Sequence, residues 1–96
     1  MAKKFIITSD GDFRMGEVEL HKDLLYSWET CLGGGYYEVD YLKGEINLTG
    51  ASYDFGVPQW DILKDEHIQL QIPAPWKDFV IRYFYEDPTQ EPVIIN

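Results

Sequence analysis

The chain has 96 residues, 45% of them hydrophobic and 16% aromatic, which is enough apolar surface for one domain over 1–96 and too little length for a second core. Its 17 acidic residues against 8 basic ones leave a net charge of −9, an average field that repels nucleic acid and a bare anionic membrane. A small anionic ligand stays possible, because a pocket can differ locally from the mean field.

The chain opens Met1-Ala2-Lys3-Lys4-Phe5-Ile6-Ile7-Thr8. Its apolar run is too short for a signal-peptide core and reads as a first strand over Lys4 to Thr8. The turn-like Ser9-Asp10-Gly11-Asp12 ends it. Glu17-Val18-Glu19-Leu20 alternates polar and apolar, the period of a half-buried strand, with His21 at its end. Asp23 then offers a helix N-cap, and Leu24, Leu25 and Trp28 fall on one face of a short helix that Gly33 can end. Tyr37, Val39 and Tyr41 alternate with Glu38 and Asp40, Leu42-Lys43-Gly44 turns the chain, and Ile46 and Leu48 alternate on the way back. That pattern is a β-hairpin.

A loop follows from Gly50 to Gly56, and Pro58 suits the first position of a second helix running to about Glu66. Ile68, Leu70 and Ile72 alternate with glutamines and predict a strand. After the Pro73-Ala74-Pro75 break, the nearly continuous apolar run from Phe79 to Tyr85 predicts a central strand. The tail from Pro88 to Asn96 could pair with another chain. The expected fold class is therefore α+β: a mixed sheet of five to six strands flanked by two short helices.

No hydrophobic run approaches the roughly 18 to 20 residues needed to span a bilayer. Cys31 is the one cysteine, so no internal disulfide can form and the expected compartment is the cytoplasm. The Asn47-Leu48-Thr49 sequon is then read as chance.

Several chemistries fail on spacing. A cysteine phosphatase needs an arginine about six residues after its thiolate to fold a phosphate loop, and Leu32-Gly33-Gly34-Gly35-Tyr36-Tyr37 supplies none. Cys31 reads as a packed small hydrophobe. His21 and His67 stand alone, without HxxxH or CxxC, and Asp10-Gly11-Asp12 lacks the repeated acids of a calcium loop. No metal or cofactor is expected. No Lys-Ser/Thr follows Gly35, which excludes a Walker-type loop. Two features remain. Gly33-Gly34-Gly35 can be an anion-binding nest of backbone N–H groups, or a helix C-cap with a β-bulge. His21 is either a base or one of the many structural histidines.

Three segments in order resemble the protein-histidine phosphatase (Janus/Ocnus) family. Glu19-Leu20-His21-Lys22-Asp23-Leu24-Leu25 resembles the family's E-Y-H-A-D-I motif, which carries its catalytic histidine. Cys31-Leu32-Gly33-Gly34-Gly35 matches C-L-G-G-G, and Gly50-Ala51-Ser52-Tyr53-Asp54-Phe55-Gly56 resembles the G-Y-S-x-A-Y-G loop. The matches cover Glu19 to Pro58, with a weaker likeness of Lys4-Phe5-Ile6-Ile7 to the family's first strand.

The resemblance implies hydrolysis of the P–N bond of phosphohistidine without metal or cofactor, on a phosphorylated protein or a small anionic ligand. His21 would act as base on water or as the attacking group, a task that suits a side chain with an unperturbed pKa near 6.5. The amides of Lys22 and Gly33, the Ser52 hydroxyl and the Lys4 ammonium would hold the phosphoryl oxygens, with Gly34 lining the site. Two positions depart from the family. Tyr36 stands where it has a phosphate-binding arginine, and Asp54 replaces an alanine. A carboxylate about 5 Å from a phosphoryl charge would cost about 3 kcal/mol at an effective dielectric of about 20. The alternative reading is a non-catalytic module that binds a less anionic ligand or a partner through the same groove, with Tyr36, Tyr37, Tyr53 and Phe55 as its aromatic surface. A third has Asp54 and His21 act as an acid–base pair on a neutral or cationic group.

Overall fold

The computed structural model describes residues 1–60 and 69–95. Its strands are β1 (Ala2–Thr8), β2 (Asp12–Val18), β3 (Cys31–Asp40), β4 (Glu45–Thr49), β5 (Gln69–Gln71), β6 (Val80–Phe84) and β7 (Val93–Ile94). They form one curled, mixed sheet in the order β5-β2-β1-β3-β4-β6-β7.

Local pattern builds the middle of this sheet. The first hairpin turns at Gly11, whose φ of 86° is cheap only for glycine and whose amide donates to the Thr8 carbonyl at 3.0 Å. The second hairpin sets Tyr37 against Leu48 and Val39 against Ile46, as the alternation predicts. The outer pairings are longer in range. β2 pairs parallel with β5, and β4 pairs parallel with β6, so the chain must cross the sheet between β4 and β5 and cross back before β6.

Described residues of both crossings pack on the core. Phe5, Ile7, Phe13, Met15, Tyr37, Ile46, Leu48, Ile81 and Tyr83 turn to one face, each alternating with residues turned the other way. Trp60, from the first crossing, stacks on Phe5 with centroids 5.7 Å apart and tilts against Tyr83 at 4.8 Å. Ile72, Trp76 and Phe79, from the second, pack against the same cluster.

The α+β expectation is corrected here: the sheet has seven strands, not five or six, and among the described residues there is no α-helix. The segment expected to be the first helix makes a single 3-10 turn, His21–Leu24, and Leu25 is already extended. Leu24, Leu25 and Trp28 do not share a buried stripe, since Trp28 is 76% exposed. A four-residue turn has too few hydrogen bonds to propagate by itself, and packing on the sheet decides its length. The second expected helix, with His67, lies largely outside the described residues. Gly33 is no helix cap. It sits inside β3 with φ 111°, where Leu32 and Gly33 stand against Ile7 alone in a register shift. The β-bulge half of that reading is what forms. β6 is second from an edge rather than central, and the tail pairs within the chain, Tyr83 facing Val93. Among the described residues no helix is long and apolar enough to cross a membrane.

Candidate functional site

On the face opposite the core, two glycines make a seat for the 3-10 turn. A Cβ on Gly16 of β2 would come 3.1 Å from Leu24 Cδ2, and one on Gly34 of β3 would come 3.0 Å from His21 Cδ2. Side chains at either position would lift the turn off the sheet. The turn closes on itself through Asp23, whose carboxylate accepts the Leu20 amide at 3.0 Å while its own amide donates to the Leu20 carbonyl at 3.0 Å.

Arg14 of β2 anchors the chain from Leu24 to Glu29. Its guanidinium donates to the Leu24 carbonyl at 3.1 Å, to Asp12 at 2.9 Å, to Gln71 at 3.2 Å, and to both carboxylate oxygens of Glu29 at 2.5 and 2.6 Å. The Tyr26 ring lies 4.1 Å from the guanidinium carbon. With its donors all engaged, Arg14 is a structural clamp. The Glu29 carboxyl is held below its ordinary range by the Arg14 hydrogen bond, outweighing its burial. No sequence reading identified this pair; its one signal is the charge of Arg14 between Phe13 and Met15, which turn to the core.

His21 itself is 5% exposed. Its Nε2 lies 2.8 Å from the Gly35 carbonyl oxygen. A carbonyl only accepts, so Nε2 carries the proton in the neutral ring and Nδ1 keeps the lone pair. Burial pushes the imidazole pKa below its usual value, opposed by the Gly35 hydrogen bond; the Lys4 charge lowers it further and the Asp54 charge raises it.

The residues that sequence singled out divide into three groups. Gly34 and Tyr36 meet His21 directly: the Tyr36 ring stands edge-on to it, centroids 5.4 Å apart. Lys4 faces Tyr36 across the β1–β3 ladder, with its ammonium 6.0 Å from that ring and donating to the Glu19 carbonyl. The serine loop joins through the backbone. Ser52 is buried and bridges to Gly56, whose carbonyl also accepts the Gly34 amide at 3.3 Å. The Ser52 oxygen accepts the Phe55 amide at 3.2 Å, which leaves its hydroxyl proton to donate. Asp54 and the Lys22 side chain are exposed. Gly33 is pressed against the Val57 carbonyl and, at 2.6 Å from a hypothetical Cβ, Pro58. The glycines therefore form a strand against which histidine and loop are packed, not an isolated turn.

Cys31 is half-buried, its thiol donating to the Gly33 carbonyl at 3.4 Å, and burial pushes its pKa up. Among the described residues no three His, Cys, Asp or Glu side chains gather as a metal site. Two hollows open elsewhere. One of about 310 Å³ is bordered by Arg14, Leu24 and Ile72. The other, of about 340 Å³, is bordered by Tyr83, Tyr85, Glu86 and Asp87 of one short stretch and by Gly50, which only the fold brings to them.

Fold and site together define a mixed-sheet domain with a buried, tautomer-locked histidine on its outer face. Compared with family models, curated proteins and solved structures, the chain matches none.

Proposed function

We propose that this chain is a cytoplasmic, metal-independent hydrolase of the phosphohistidine-phosphatase type, acting on a phosphorylated protein or small phosphoramidate, with His21 as its base. The observation that carries this reading is the 2.8 Å contact of His21 Nε2 with the Gly35 carbonyl. It commits one nitrogen to donation, while burial favours the neutral ring, so Nδ1 is the basic atom. Water attacks phosphorus as its proton passes to Nδ1; the P–N bond breaks, and the proton is returned to the departing nitrogen. The Ser52 hydroxyl, the Lys4 ammonium and the amides of Lys22 and Gly33 are the donors this reading assigns to the phosphoryl oxygens.

A second reading, a non-catalytic module binding a less anionic ligand or a partner protein, is favoured by a separate observation. The Lys4 ammonium is engaged by the Glu19 carbonyl and the Gly34 amide by the Gly56 carbonyl, while the Asp54 charge acts on His21. One experiment divides the two. Phosphoramidate and a phosphohistidine-bearing protein are incubated with the wild type and with His21→Ala. Hydrolysis by the wild type that vanishes in the variant supports the hydrolase; equal background rates end it and leave the binding module.

A further inference from the structure

The hollow of about 340 Å³ lies where the 50–57 loop meets the end of β6 and the segment after it. Its chemistry differs from that of the His21 centre. Tyr83 is 2% exposed and packed on Trp60, so the half-buried Tyr85, set at right angles to it with centroids 5.2 Å apart, supplies the aromatic wall. The Tyr83 hydroxyl donates to the Gly50 carbonyl at 2.7 Å, which fixes that ring and ties the loop to the strand. Gly50 and Ala51 add almost no side-chain bulk, so the space stays open. Glu86 and Asp87 bring two carboxylates to the same border. Asp87 is held in place by the Thr89 amide at 2.9 Å and the Thr89 hydroxyl at 2.7 Å, both on one oxygen. Among the described residues no Lys or Arg lines the hollow, and neither carboxylate forms an ion pair with a described residue.

We infer that this hollow is a binding site for an alkylammonium ion, formed by the Tyr85 ring, backed by the buried Tyr83, and by the carboxylates of Glu86 and Asp87. An anion would meet two negative charges and, among the described lining residues, no cationic side chain. A neutral apolar ligand would pack on the ring but gain nothing from the two exposed carboxylates. A small hard cation would find two carboxylates and aromatic walls where it needs a shell of oxygens. A weakly hydrated cation with a methylated surface satisfies rings and carboxylates together, since aromatic faces attract such a cation.

The test uses choline and its uncharged carbon isostere, 3,3-dimethylbutan-1-ol, titrated into the full chain and followed by amide chemical shifts. Choline is expected to move the amides of Gly50, Ala51, Tyr85, Glu86, Asp87, Thr89 and Gln90, and to bind about tenfold more tightly than the isostere. The Glu86→Gln/Asp87→Asn double variant is expected to lose that tenfold while the rest of its spectrum stays unchanged. Equal affinity for the two probes, shifts centred elsewhere, no shift at all, or wild-type choline affinity in the double variant would each overturn the inference. None of these outcomes bears on hydrolysis at His21.

Discussion

The imidazole of His21 lies on the bare backbone of Gly34, where a Cβ would come 3.0 Å from His21 Cδ2 and would also strike the Phe5 carbonyl. The ring can approach the sheet only because that position has no side chain. Gly34→Ala is therefore expected to destabilise the fold by about 3 kcal/mol, the upper end for overpacking, because the Phe5 clash is with backbone and cannot be relieved by a rotamer change. Urea unfolding gives the loss of stability, and a changed His21 ring signal by NMR reports the displaced turn.

His21 should titrate below 6.5, because burial disfavours its charged form. Asp54→Asn removes a charge that favours the imidazolium and should lower the value further. Lys4→Met removes one that opposes it and should raise the value. The consequence for stability has a definite sign. As pH falls through 6.5 the unfolded chain takes up the proton before the folded one. This contribution is complete above 6.5 and is lost as pH falls toward the folded value. An NMR titration of the His21 ring in the three proteins measures the shifts directly, whatever the enzymatic rate.

Glu29 and Arg14 should behave as a buried pair, since the Glu29 side chain is 2% exposed. Glu29→Gln removes the stronger of the two charges that hold the guanidinium, leaving Asp12 as its described carboxylate partner, and is expected to cost about 2 kcal/mol. The wild-type carboxyl, held below its ordinary 4.5 by Arg14, contributes stability above that value and loses it as pH falls through the folded pKa. Unfolding measured from pH 7 to pH 3 should show this acid limb in the wild type and a weaker one in the variant.

The tail should matter more than its length suggests. Val93 and Ile95 pack against the core, and the Ile95 amide donates to the Ile81 carbonyl at 2.8 Å. Removing residues 93–96 is expected to cost about 2 kcal/mol, allowing for partial burial of the two side chains. A truncated chain with unchanged unfolding midpoint would show that β7 does not hold β6.

What the sequence determined by itself is the local part of this protein: β1, the β3–β4 hairpin and β6, together with the alternating residues that fill the core. Strand alternation and hairpin turns are short-range, so Tyr37, Val39, Ile46 and Leu48 reveal their pairing without any knowledge of neighbours. Of the residues singled out by resemblance, Gly34 and Tyr36 lie against His21, and the Ser52 loop reaches the glycine strand through the Gly56 carbonyl. Only the tertiary structure decided the rest. The spacing of Leu24, Leu25 and Trp28 suits a helix, yet Arg14 captures the Leu24 carbonyl and Glu29 and draws that segment across β2. The pairing of β2 with β5 and the tie of Tyr83 to Gly50 join residues distant in sequence. Periodicity carries no record of which strand will lie beside which, because that choice rests on burial shared by the whole sheet.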